Sequence, residues 1–231
     1  MNEKSTQERL RLYLIRHGEV EGAASGKLLG RTDTPLSDQG LEQARQLAEV
    51  LSTAQLSAIY CSDLQRARTT AEIIAKRSNL NVQESSAWRE IDMGEWEGDT
   101  LAALHDEAPE LIAQLFSDPA SFEYPDGESF TGFTTRVQRA LDQLLITHRT
   151  GEVALVAHGG VCRTIIGNVL GMPTHNWLRL AQVYACMNVI EWYGANPILV
   201  MLNSHNGPPT KSAACGDAQS LRTSQLMIEF A

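Results

Sequence analysis

The sequence predicts an α/β fold: a three-layer α/β/α sandwich with a mostly parallel sheet and an antiparallel edge hairpin. Two observations predict it. Short apolar runs at residues 10–15 (LRLYLI), 57–61 and 152–157 (EVALVA) alternate with longer runs whose apolar residues recur at helical spacing. Near the end, runs 183–193 and 198–203 flank Gly-Ala-Asn-Pro, the pattern of a hairpin, and such a hairpin belongs at a sheet edge.

The elements follow in order. Run 10–15 reads as a buried strand that stops at Arg16-His17-Gly18. Residues 22–35, with three glycines and a proline, read as a loop. Ser37 is placed to cap a helix carrying Leu41, Ala44, Leu47 and Leu51 on one face. A second strand, 57–61, leads to a helix capped by Ser62 or Asp63 and running to about Lys76. Residues 88–127 are less regular, with two short helical stretches and a Pro-Asp-Gly turn at 125–127. A long amphipathic helix over 130–148 follows, with Phe133, Val137, Ala140, Leu144 and Leu145 on its apolar side. Strand 152–157 stops at His158-Gly159-Gly160, and a helix over 161–170 ends at Gly171, with Pro173 beyond.

A chain of 231 residues suits one domain around one core. We place that domain at 1–203 and a C-terminal tail at 204–231. A net charge of −9 argues against nucleic acid or an anionic membrane as partner, while leaving room for a small anionic substrate met by converging arginines. The polar start MNEKSTQERL has no apolar segment of a secretory signal, and no run approaches the length of a membrane span. Cys61, Cys162, Cys186 and Cys215 form no CxxC pair, which fits reduced thiols in a cytoplasmic protein. The tail is rich in Gly, Pro, Ser and Ala. It reads as a loosely packed terminus, unless residues 226–230 dock on the domain or on a second subunit in a homodimer.

In α/β sheets the ligand crevice lies beyond the carboxyl ends of the strands. Both His17 and His158 fall there. Arg16 adjoins the first; Gly18 lets backbone turn closely about a ligand; Gly159-Gly160 opens a helix whose first amides can face an anion. After the second strand, SDLQRARTT carries Arg66 and Arg68 on a first helical turn. Two residues apart, they point in different directions, so one of them reaches the crevice. A cation at a helix start is disfavoured by the dipole and invites an anion, which favours Arg66. WREIDMGEWEGDT supplies acids beside two tryptophans, and a carboxyl in a partly apolar pocket can serve as a general acid. These residues alone do not choose among Glu90, Asp92, Glu95 and Glu97. A metal hydrolase built on His17 and His158 is disfavoured, because Arg16 repels a divalent cation and no cluster of acids and histidines accompanies the pair.

LIRHGE, TPLSDQGLEQA, SDLQRARTTAE, WREIDMGEWEG, PDGES and VAHGGV occur in the order found in the histidine phosphatase superfamily, the group that includes the cofactor-dependent phosphoglycerate mutases. The chain resembles that family from Leu12 to about Asn203. The resemblance implies that His17 is a nucleophile phosphorylated transiently. It implies that Arg16, Arg66 and His158 hold the phosphoryl oxygens, with Gly159 beside them, and that Glu90 protonates the leaving group. It implies neither metal nor other cofactor. One position departs from the pattern: many members have Asn where this chain has Ala23. A donor is then missing, or Ser25 or a backbone amide of loop 22–30 replaces it.

The resulting expectation is a phosphomonoesterase acting on a small phosphorylated metabolite. Its length, the WREIDMGEWEG form and the ILVMLNSH ending are similar to bacterial phosphatases of the family, α-ribazole phosphatases of cobalamin synthesis among them. A nucleotide-like substrate would then stack near Trp88 or Trp96. The runner-up is a phosphoglycerate mutase, disfavoured because residues 103–123 hold five acids and no Lys or Arg. A non-catalytic relative that binds phosphorylated ligands is the third reading, and the intact set of five catalytic positions speaks against it.

Overall fold

A computed structural model describes residues 9–205. The proposed tail, Cys215 and the 226–230 segment therefore lie outside the described residues, apart from the first two tail positions.

Among the described residues six strands form one sheet in the order β3-β2-β4-β1-β5-β6. They are β1 (Arg9–Arg16), β2 (Leu56–Cys61), β3 (Val82–Glu84), β4 (Gly151–Ala157), β5 (Met187–Tyr193) and β6 (Asn196–Ser204). The pairings β3-β2, β2-β4 and β4-β1 are parallel, whereas β1-β5 and β5-β6 are antiparallel. The expected α/β architecture with its antiparallel edge hairpin is what the chain adopts.

Alternation along the strands divides the core. Leu12 and Leu14 of β1 face one side with Val153 and Leu155 of β4, and Tyr13 and Ile15 face the other with Ala154 and Val156. The first face is covered by α5 (Phe130–Thr147) and α6 (Gly159–Val169), through Phe133, Val137, Leu144 and Ile165. The second is covered by α1 (Asp38–Val50) and α2 (Gln65–Ser78), through Leu47, Ala67, Ala71 and Ile74. Two short helices, α3 (Leu101–Glu107) and α4 (Pro109–Ser117), add Leu104, Ile112 and Leu115 to the first cluster.

This layering fixes the crevice. β1 and β4 are neighbours in register, Arg16 opposite Ala157. The chain leaves β1 toward α1 on one face and leaves β4 into α6 on the other. Neighbouring strand ends whose following helices diverge make a cleft at the edge of the sheet.

Three local expectations change. α2 begins at Gln65, and neither Ser62 nor Asp63 is its N-cap; instead the Gln65 amide donates to Asp33 Oδ1 at 2.6 Å, a cap supplied from the loop after β1. β3 was not anticipated, because three residues are too few to carry a period. The strand expected from Val183 starts only at Met187, since Ala185 adopts φ 55° and turns the preceding segment out of the sheet. Ser37 does cap α1, accepting from the Gly40 amide at 3.1 Å.

Candidate active site

His17 follows β1 directly. Its main-chain amide donates to Ala157 O at 3.0 Å, which sets it beside His158, and the two rings lie 5.1 Å apart, edge to face. Nδ1 of His17 lies 2.7 Å from Gly18 O. A carbonyl only accepts, so Nδ1 carries the proton, and the neutral ring keeps its lone pair on Nε2. The turn that makes this contact needs glycine: a Cβ on Gly18 would sit 2.5 Å from Gly40 O, at the start of α1.

Two arginines converge on the pair. Arg66 is 1% exposed, and its terminal nitrogens donate to Thr32 O and Gly30 O at 2.7 Å each. Those partners are neutral carbonyls. Arg16 donates to Gln182 O at 2.5 Å and lies 4.0 Å over the Tyr184 ring. Neither guanidinium has a carboxylate within ion-pair distance among the described residues. Arg16 Nε and both ring nitrogens of His158 are buried without a hydrogen-bond partner. Buried polar atoms without partners are costly, and here three occur together at one crevice. An anion would satisfy the Arg16 donor and, with the ring protonated, the His158 nitrogens as well.

Electrostatics agree with that reading. Burial, then the charges of Arg66 and Arg16, hold His17 well below the ordinary histidine pKa, against the opposing pull of the Gly18 carbonyl. Burial, then Arg66, His17 and Arg16, hold His158 down in the same way. Without an anion both rings are neutral near pH 7. A bound phosphoryl group would offset the two guanidinium charges and favour protonated His158.

Glu90 comes from the loop before α3. Its carboxylate accepts the Ile91 amide at 3.0 Å and the Gly160 amide at 2.8 Å, which ties it to the start of α6. The other three acids go elsewhere. Asp92 Oδ1 accepts the Gly94 amide within its own turn at 3.1 Å, Glu95 is exposed, and Glu97 holds loop 30–32 by accepting the amides of Arg31 and Thr32 and the Thr32 hydroxyl. Of the acids the sequence left open, Glu90 alone reaches His158-Gly159-Gly160.

The family model of the histidine phosphatase superfamily (branch 1) matches residues 12–205. The chain belongs to the histidine phosphatase superfamily. It is 34% identical over 171 residues, 74% of this chain and 80% of the relative, to a Proteus mirabilis protein named probable phosphoglycerate mutase GpmB. It is 30% identical over 195 residues, 84% of this chain and 96% of the relative, to the adenosylcobalamin/alpha-ribazole phosphatase of Salmonella typhimurium. The crystal structure of the alpha-ribazole phosphatase from Shigella flexneri superposes with a TM-score of 0.78 at 29% identity, covering 87% of this chain and 100% of that one.

Ser25 lies exposed on a 3-10 turn (Ala23–Ser25), with its hydroxyl donating to Gly22 O at 2.7 Å, and no hydrogen bond among the described residues ties it to the histidine pair. Trp88 and Trp96 are both core residues. Trp96 packs against Phe122 and Tyr124 with ring centroids 5.4 and 5.3 Å away, so neither tryptophan offers a face for a base to stack on. Gly159 does line the cleft: a Cβ there would meet Arg163 Nη1 at 2.9 Å and Arg16 Nε at 3.7 Å. Arg68 turns away, its nearest acid being Glu84 at 3.7 Å.

Arg163, Tyr184 and loop 30–32 were not anticipated. Arg163 was open to inference, since it stands four residues after Gly159 and so on the same face of α6. Tyr184 was hidden inside a segment read as strand, and the loop's role depends on carbonyls, which sequence does not display.

Proposed function

We propose that the chain is a phosphomonoesterase working through a phosphohistidine on His17. The observation that carries this is the Nδ1 contact with Gly18 O, which leaves Nε2 as a nucleophile beside the unpartnered Arg16 Nε and the unpartnered His158 ring. Nε2 attacks phosphorus, and the bond to the leaving oxygen breaks as the N–P bond forms. Arg16, Arg66 and His158 take up the charge on the equatorial oxygens, the main requirement in phosphoryl transfer. Glu90 gives its proton to the leaving alkoxide. The Glu90 carboxylate then takes a proton from water as that water attacks the phosphohistidine, which frees orthophosphate and restores both groups.

Metal is not required in this scheme. Among the described residues no three His, Cys, Asp or Glu side chains gather as ligands, and the charge around His17 is already positive. A cytoplasmic location fits the three buried unpaired cysteines, Cys61, Cys162 and Cys186. α-Ribazole 5'-phosphate is the candidate substrate by likeness to the phosphatases of Salmonella and Shigella.

The likeness to a named mutase favours a second reading, phosphoglycerate mutase. Against it, residues 103–123 supply acids and no base to retain a bisphosphorylated intermediate. One assay separates the two. Orthophosphate release from a panel holding both α-ribazole 5'-phosphate and 3-phosphoglycerate is measured in excess chelator. The phosphatase reading expects release that chelator does not reduce. Isomerisation of 3-phosphoglycerate without release would install the mutase, and activity lost in chelator and restored by a divalent ion would overturn the metal-free scheme.

A further inference from the structure

A cavity of about 100 Å³ opens beside Glu90 and Gly160. Its walls are Leu115 of α4, Phe130 and Phe133 of α5, Tyr124, and Trp177 and Leu178 of the turn after α6. All of these are buried except Leu178, which is 36% exposed and marks the mouth. None of His17, Arg16, Arg66 or His158 lines it. The cavity therefore lies on the Glu90 side of the cleft, away from the groups that hold the phosphoryl oxygens.

Position gives it meaning. A proton donor must sit at the leaving oxygen, so whatever that oxygen is attached to extends past Glu90. The space past Glu90 is this cavity. Among the described residues its one cation is Arg163, whose Nε donates to Leu180 O at 2.9 Å and whose Nη1 lies over Gly159 at the start of α6. Besides the Glu90 carboxyl and the hydroxyls of Tyr124 and Thr164, the remaining wall is mainly apolar, and Trp177 Nε1 is already committed to Met172 O at 2.9 Å. An apolar group gains there by leaving water.

We propose that this cavity receives the leaving alcohol, and that the substrates are phosphomonoesters whose alcohol carries an uncharged apolar group of about one ring in size. The proposal rests on the phosphatase reading and adds a substrate class to it.

The test compares three esters of primary alcohols, so that leaving ability is similar and the remainder of the molecule differs: 2-phenylethyl phosphate, glycerol 1-phosphate and 3-phosphoglycerate. The expected order in kcat/KM puts 2-phenylethyl phosphate ahead of each of the others by at least about 10-fold, the scale at which an apolar pocket discriminates. Leu178→Trp, which fills the mouth, should bring the ratio of phenylethyl to glycerol ester toward unity. Because the ratio is taken within one protein, partial misfolding does not alter it, and the wild-type order stands as a test even if the variant fails to fold. Equal turnover of the three, or preference for 3-phosphoglycerate, overturns the proposal while leaving the phosphatase reading in place. Absence of turnover with all three esters overturns the proposal, and if the wider panel with α-ribazole 5'-phosphate releases no orthophosphate either, the phosphatase reading goes with it.

Discussion

Glu90 and Gly160 are in direct contact: the Glu90 carboxylate accepts the Gly160 amide at 2.8 Å, and a Cβ on Gly160 would collide with that same carboxylate. The second glycine after His158 thus leaves room for the acid. Gly160→Ala should displace Glu90 and reproduce, in milder form, the loss caused by Glu90→Gln. Proton donation is worth roughly 10²–10⁴ in rate for a poor leaving group. Both substitutions should slow alkyl phosphates far more than nitrophenyl phosphate, whose leaving group needs no proton. Rates on the two ester types, with Asp92→Asn and Glu95→Gln as controls, check this. Equal losses on both esters for Glu90→Gln would instead mean a structural or phosphate-positioning role.

Glu97 acts on Arg66 at one remove. Its carboxylate fixes the amides of residues 31 and 32, and the carbonyls of residues 30 and 32 fix the Arg66 guanidinium. Glu97→Gln keeps the shape but loses charge-assisted bonds, each worth about 1.5–3 kcal/mol. Inhibition by vanadate should weaken about ten-fold or more. Alkyl and aryl esters should suffer alike, which separates this residue from Glu90. Unchanged vanadate inhibition in the variant would disconnect Glu97 from the phosphate site.

The histidine pair predicts how stability depends on pH. Both rings are held well below the ordinary histidine pKa in the folded chain by burial and by arginine charge. Between that folded value and the unfolded value near 6.5, the unfolded chain binds more protons. Stability is therefore complete above about pH 7 and falls as the pH drops below about 6.5, by up to about 1.4 kcal/mol per pH unit for each ring. Urea unfolding at pH 8 and pH 5.5 should show a steeper loss for wild type than for His158→Asn. Orthophosphate, by offsetting the arginine charge, should reduce the loss. Identical pH dependence in the variant would contradict the neutral state assigned to His158.

Much of this architecture was legible because it is periodic or punctuated. The apolar runs that end at His17 and His158 are interior strands, and their adjacency follows from the β1-β4 pairing that such runs form. The Arg66 and Arg68 contrast followed from helical geometry. What stayed hidden depends on backbone placed by tertiary contacts. The contact that sets Glu90 apart from its neighbouring acids is with the Gly160 amide, the cap of α2 comes from Asp33 in another loop, and Tyr184 reaches Arg16 because Ala185 leaves the sheet. Ser25 was inferred as a nearby hydroxyl able to stand in for the family's Asn at Ala23, and its hydroxyl is turned to Gly22.

The central claim is a covalent phosphohistidine at Nε2 of His17. Enzyme mixed with a phosphomonoester and quenched within the first turnovers, under alkaline conditions that preserve phosphohistidine, should yield one labelled peptide containing His17. Phosphorus NMR should assign the modification to Nε2, because Nδ1 is committed to the Gly18 carbonyl. His17→Ala should give no label and no turnover while keeping its fold by circular dichroism. Label on His158, on a serine, cysteine or acid, or on Nδ1, or near-normal turnover by His17→Ala, would contradict the account.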